Sequence, residues 1–181
     1  MLTKDNTGLI IVDVQGKLAS LVHESEVIIE NTIKLVKGAL ALELPIIWLE
    51  QNPERLGPTV EGINSLLSDA GIEPISKFTF SGCSESKFNE AVSEANVDSW
   101  LICGIETHIC VYQTAKTLTI EGHNVEVVSD CCSSRTPENK ALALSKLQAE
   151  GVAVTGLEMC LYELVEDSRA PVFKEILSLI K

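Results

Sequence analysis

Gly8-Leu9-Ile10-Ile11-Val12-Asp13-Val14 is short, β-branched and apolar at successive positions. A strand with one face in water would alternate apolar and polar side chains, so this run predicts a parallel strand covered on both faces. Parallel neighbours need long crossover connections, usually helical. The following residues supply one: Ile28, Ile29, Ile33, Val36 and Leu40 recur at helical spacing from Ser25 to about Leu42, with Ser25 suited to the N-cap. Pro45-Ile46-Ile47-Trp48-Leu49 then reads as a second strand, followed by a loop from Gln51-Asn52-Pro53 to Gly57-Pro58.

The alternation continues to the C-terminus. A third strand is predicted near Pro74 to Phe78, a helix from Glu85 to Ala95, a fourth strand from Ser99 to Cys103 and a helix from about Thr107 to Glu121. Asn124 to Val128, Glu138 to Glu150 and Val152 to Val154 read as strand, helix and strand, and the stretch to Lys181 as helical. The expectation is a three-layer, doubly wound α/β fold: one six-stranded parallel sheet of Rossmann-like order 3-2-1-4-5-6, in one domain spanning 1–181.

Composition narrows the function. Fourteen Lys and Arg against 26 Asp and Glu leave a net charge of −12, which repels polyanions. Nucleic acid and an anionic membrane surface are therefore excluded as expected partners, and a small-molecule substrate is favoured. No apolar run approaches the roughly 20 residues needed to span a bilayer, and Met1 to Asn6 lacks the apolar core of a signal peptide, which points to the cytoplasm. The six cysteines (Cys83, Cys103, Cys110, Cys131, Cys132 and Cys160) form no C-x-x-C pair, and His23, His108 and His123 are scattered. Reduced thiols and no zinc site are expected.

Ligands of open α/β sheets bind beyond the carboxyl ends of the strands, at the point where strand order reverses. Asp13 ends the first predicted strand, Lys77 lies at the third, Cys110 just past the fourth and Asp130 after the fifth. In the order 3-2-1-4-5-6 the first and fourth strands are neighbours, so Asp13 faces Cys110, with Lys77 approaching from the third. Each has an ordinary alternative: a local capping aspartate, a solvated lysine, a buried thiol. Cys110 would open a helix, where free N–H groups and a nearby ammonium favour a thiolate. His108 is two residues from Cys110 and would point to another helix face, which argues against a Cys/His dyad.

Asp13, Lys77 and the run Gly104-Ile105-Glu106-Thr107-His108-Ile109-Cys110-Val111 resemble the signature of the isochorismatase-like cysteine hydrolases. The resemblance extends through Glu50-Gln51-Asn52-Pro53, Leu56-Gly57-Pro58-Thr59, Lys77 to Ser81, Ser129 to Arg135 and Thr155 to Met159, nearly the whole chain. It implies an Asp-Lys-Cys triad at Asp13, Lys77 and Cys110, and a non-proline cis peptide between Ile105 and Glu106. It also implies an oxyanion hole from backbone N–H groups of Glu106 and Cys110. Gln15, Gln51, Phe78 and Tyr112 are candidate substrate contacts. The best-known amidases of the family hold a metal with an Asp/His/His set after the second strand. This chain has no histidine between Trp48 and Pro58, so neither metal nor other cofactor is expected.

The function implied is a metal-independent hydrolase of a small amide or carbamoyl compound, working through a thioester on Cys110, in a homo-oligomer built from dimers. Vinyl-ether hydrolysis of the isochorismatase type, a non-catalytic binding role and a redox-sensing thiol stand as alternatives.

Overall fold

In the computed structural model, which describes residues 1–181, the predicted first strand is β1 (Thr7–Val12), and Leu9 to Val12 have no exposed surface. β2 (Ile46–Gln51) pairs with it on one side and β4 (Ser99–Ile105) on the other, both parallel. β3 (Ile75–Lys77), β5 (Asn124–Ser133) and β6 (Ala153–Thr155) complete a six-stranded sheet of order β3-β2-β1-β4-β5-β6. The predicted class and strand order hold, because covering both faces forces every connection to cross over.

One face carries α2 (Ser25–Ala41), packed against α4 (Glu61–Asp69), α8 (Leu157–Val165) and α9 (Phe173–Ile180). The other carries α5 (Ser86–Ala95), α6 (Tyr112–Ile120) and α7 (Pro137–Ala149). The apolar stripe of α9 covers this chain's own α2 and α8, with Ile176 fully buried.

The structure corrects the reading in three places. The segment after β1 forms a short helix, α1 (Gly16–Leu21). The expected loop after β2 contains a turn of helix, α3 (Pro53–Leu56), begun by Pro53 at its first position, and α4 follows it. The expected helix from Thr107 opens with a π turn, Thr107–Val111, before α6 begins. π turns inside helices occur often at functional sites.

Two close approaches shape the carboxyl end of the sheet. Gly104 has φ +120°, and a Cβ there would lie 2.0 Å from the Val12 carbonyl oxygen. Glycine is therefore required where β4 presses on β1. The pairing of β4 with β5 is irregular here: Ile102 faces Val127, yet Gly104 faces Cys132. Such a bulge bends β5 and re-aims the residues that follow it.

Candidate active site

β1 ends at Val12, and Asp13 turns out of the strand with φ +52°. That left-handed conformation is uncommon for a residue with a side chain, Asn and Asp being the most tolerant, and it sets the carboxylate across the strand ends. Lys77 closes β3, in register with Gln51 of β2. Its Nζ donates to Asp13 Oδ2 at 2.7 Å and Gln51 Oε1 at 2.7 Å, and to the carbonyls of Thr79 and Phe80 at 3.2 Å each. An ammonium has three protons, so these four acceptors use its whole capacity. Lys77 is 0% and Asp13 1% exposed; an ion pair this deep persists only with such complete satisfaction.

The second carboxylate oxygen, Asp13 Oδ1, is buried and has no hydrogen-bond partner. Cys110, carried by the π turn, lies close enough that its thiol and the Asp13 carboxyl shift one another's protonation. Burial raises Asp13 above the ordinary aspartate range; Lys77 opposes that shift and the Glu50 carboxylate adds to it. Burial, reinforced by Asp13, pushes the Cys110 thiol up to about 12, with Lys77 pulling the other way. This corrects the expectation of a resting thiolate, because desolvation outweighs the favourable helix opening. The arrangement is a protonated thiol beside a carboxyl group whose hold on a proton burial strengthens.

The Ile105–Glu106 peptide is cis. Glu106 is buried, and its backbone N–H donates to no protein group. Its carbonyl accepts from the N–H groups of Ile109 at 3.0 Å and Val111 at 3.4 Å, the residues flanking Cys110. Its side chain reaches the loop after β5: Oε1 accepts from Arg135 N at 2.9 Å and Nε at 3.0 Å. His108 Nδ1 lies 3.0 Å from Ser134 Oγ, tying the π turn to the same loop and leaving the imidazole engaged away from any Cys110 dyad.

Other candidates have different work. Gln15 is fully buried, with Nε2 donating to the carbonyls of Gln51 at 3.0 Å and Gly57 at 2.7 Å while Oε1 accepts from Gln51 N at 2.6 Å. It clamps the loop after β2 and has no free polar atom for a substrate. Gln51 donates Nε2 to the Phe78 carbonyl at 2.8 Å and offers Oε1 to Lys77, so it too acts through protein groups. Tyr112 is held by α7: Lys146 stands 5.0 Å from its ring centroid, and its hydroxyl is 3.3 Å from Glu150 Oε2. Phe78 is 72% exposed beside Lys77. Asp130 caps α8, Oδ1 accepting from Leu157 N at 2.8 Å.

Sequence reasoning missed three contributors. Glu50 is buried, its Oε1 accepting from Thr59 N at 2.6 Å and Thr59 Oγ1 at 2.7 Å, while Thr59 Oγ1 accepts from Trp48 Nε1 at 2.7 Å. The Glu106 side chain and Arg135 are the others. A charged residue at the end of an apolar strand, as in Trp48-Leu49-Glu50, is the signal that marks Glu50. No group of three or more His, Cys, Asp or Glu side chains is placed to hold a metal ion. The residues present therefore do not fit the metal set of the best-known amidases. The principal surface cavities lie elsewhere and none is lined by Asp13, Lys77 or Cys110.

The fold is that of a doubly wound α/β protein with a buried lysine-carboxylate pair and a thiol at its switch point. The chain belongs to the isochorismatase family, whose domain matches residues 7–159. It is 35% identical over 175 residues to the secreted isochorismatase effector Isc1 of Phytophthora sojae, covering 96% of this chain and 83% of that one. It is likewise 35% identical over 177 residues to mouse isochorismatase domain-containing protein 2A, covering 98% and 84%. The solved structure described as MAR1 ribonuclease from Caenorhabditis elegans superposes with a TM-score of 0.91 at 34% identity, covering 99% of this chain and 91% of that one. No helix is long and apolar enough to cross a membrane.

Proposed function

We propose that this isochorismatase-family hydrolase cleaves a C–N bond of a small amide or carbamoyl compound through a thioester on Cys110. The observation that carries this reading is the Lys77–Asp13 pair at 2.7 Å, whose second carboxylate oxygen has no partner beside the Cys110 thiol. Asp13 takes the thiol proton as sulfur adds to the carbonyl carbon. The oxyanion then accepts from the unpaired N–H of Glu106 and from that of Cys110; one such donor is worth about 2.7–4 kcal/mol in comparable acyl transfers. Asp13 passes its proton to the departing nitrogen, the C–N bond breaks, and the amine leaves. Water attacks the thioester with Asp13 accepting its proton, and the acid is released as the thiol is restored.

Lys77 never gives up a proton in this cycle. It holds Asp13 in place and balances its charge. A vinyl-ether substrate would need no nucleophile, so the thiol favours amide chemistry. The Caenorhabditis elegans neighbour is described as a ribonuclease, and the net charge of −12 here opposes a polyanionic substrate. The test is ammonia release from a panel of small primary amides, with an RNA oligonucleotide as control. Turnover of at least one amide, abolished by Cys110→Ala with a Cys110 adduct seen by mass spectrometry, is expected. Full activity of Cys110→Ala, or cleavage of RNA alone, overturns the reading.

A further inference from the structure

Glu50 is a second carboxylate at the carboxyl end of the sheet, and the proposed mechanism does not use it. β1 and β2 run in register as far as Val12 and Leu49, and the Asp13 N–H donates to the Leu49 carbonyl at 3.2 Å, so Asp13 and Glu50 stand next to one another on neighbouring stretches of chain. They are near enough that the Glu50 charge strengthens the hold of Asp13 on its proton.

The two carboxylates differ in what balances them. Asp13 has the Lys77 ammonium at 2.7 Å. Glu50 is only 5% exposed, yet it takes part in no ion pair. Its Oε1 accepts from two neutral groups of a single residue, Thr59 N at 2.6 Å and Thr59 Oγ1 at 2.7 Å. Its Oε2 makes no protein hydrogen bond and, unlike Asp13 Oδ1, is not sealed from solvent. The group is also fixed: Thr59 Oγ1 accepts from the buried Trp48 Nε1 at 2.7 Å, and Thr59 pairs with Gln15 across an isolated bridge. Strand and loop hold one oxygen and present the other.

A carboxylate taken this far from water is stable only where charge or hydrogen bonds replace its lost hydration. Two neutral donors on Oε1 leave Oε2 to be satisfied from outside the protein. A net charge of −12 draws cations toward the chain. A protonated amine meets both needs, donating a charge-assisted hydrogen bond and cancelling the charge. We infer that Glu50 Oε2 binds an ammonium group on the substrate, making the preferred substrate an amide that also carries an amine, such as an ω-amino amide. This rests on the hydrolase reading above for the amide, and on Glu50 alone for the ammonium.

The test separates the two. Binding of a series of ω-amino amides of increasing chain length, and of neutral alkyl amides of matched length, is measured by calorimetry on the Cys110→Ala protein, which binds without turnover. At the best length the amino amide should bind more tightly than its neutral match by about 10- to 100-fold, the size of a hydrogen bond to a charged group. Glu50→Gln in that background, which keeps an acceptor for Thr59, should erase the difference. Glu50→Asp withdraws the charge by one methylene, should move the best length to a longer chain, and serves if the glutamine variant does not fold. A merely structural Glu50 would weaken both ligands alike and leave their ratio unmoved. No preference at any length overturns the inference, as does a preference that survives Glu50→Gln, which would belong to Asp13 or to the net charge. If wild-type protein releases no ammonia from any amide while the Glu50-dependent preference holds, the hydrolase reading fails and the ammonium site stands.

Discussion

Gln51 Oε1 lies 2.7 Å from Lys77 Nζ, as close as the carboxylate of Asp13 on the ammonium's other side. A neutral amide thus shares the lysine with the carboxylate, and the amide nitrogen is itself held by the Phe78 carbonyl at 2.8 Å. Gln51→Leu removes one of the two short acceptors from the ammonium, leaving it to the longer carbonyl contacts, and takes the donor from the Phe78 carbonyl. The expected loss is about 1–3 kcal/mol of stability together with most of the turnover, read by urea midpoint and ammonia release. An unchanged midpoint would show that water replaces the amide without cost.

Activity should fall at higher pH than an ordinary aspartate dictates. Asp13 must be ionised to accept the thiol proton, and its folded value lies above 3.8, so kcat/KM is lost as pH drops through that raised value. Cys110 alkylation should keep accelerating with pH toward about 12, without a plateau near neutrality. For stability the sign is opposite to the usual carboxylate case. The unfolded thiol ionises near 9.0 while the folded one stays protonated to about 12, so stability falls as pH rises through that window. A plateau in alkylation at neutral pH would mean a resting thiolate.

Gly104→Ala should destabilise by about 4 kcal/mol or more, beyond the common range for a point change. Its Cβ would stand 2.0 Å from the Val12 oxygen at a φ of +120°, so β1 and β4 must separate where Asp13 and Glu106 leave them. Chemical denaturation measures the first effect, and loss of Cys110 labelling specificity the second.

Chelation should leave turnover unchanged, and dialysed protein should carry no stoichiometric zinc by elemental analysis. The end of β2 offers Glu50, whose carboxylate is already held by Thr59, and the segment that follows, to Pro58, has no histidine.

The protein should assemble in solution. Phe78 and Phe80, two residues apart on the loop after Lys77, are 72% and 55% exposed, and exposed aromatic side chains of this kind suit burial by a second copy. Light scattering should give a multiple of 19.6 kDa; a single-chain mass at every concentration would exclude the oligomer.

What could be read from the sequence follows where each element gets its stability. β1 and β4 are buried on both faces, so composition alone marks them. α4 escaped notice because its nine residues bury only Ile63 and Leu67, too few for a helical period to stand out. Asp13, Lys77 and Cys110 were legible from their places at strand ends. The state of the thiol was not, since its helix position is local while its burial comes from the whole fold. Gln15, Gln51 and Tyr112 looked like pocket residues, and only the structure gives the backbone and α7 partners that occupy them.

The Gln15 clamp has a consequence for how this scaffold diversifies. Through Gln15, the turn after β1 and the loop after β2 share three hydrogen bonds, and Gly16 admits no side chain because a Cβ would meet the Leu56 oxygen at 1.6 Å. Insertions on either side of that seam must be matched across it, so this wall of the site is expected to change slowly among descendants. The segment from Phe78 to Ser84 is tied to the site by its main chain, the Phe78, Thr79 and Phe80 carbonyls accepting from Gln51 and Lys77, and it leaves its aromatic side chains in solvent. New substrate preferences should therefore be acquired there first, with the acid, the lysine and the thiol handed down unaltered.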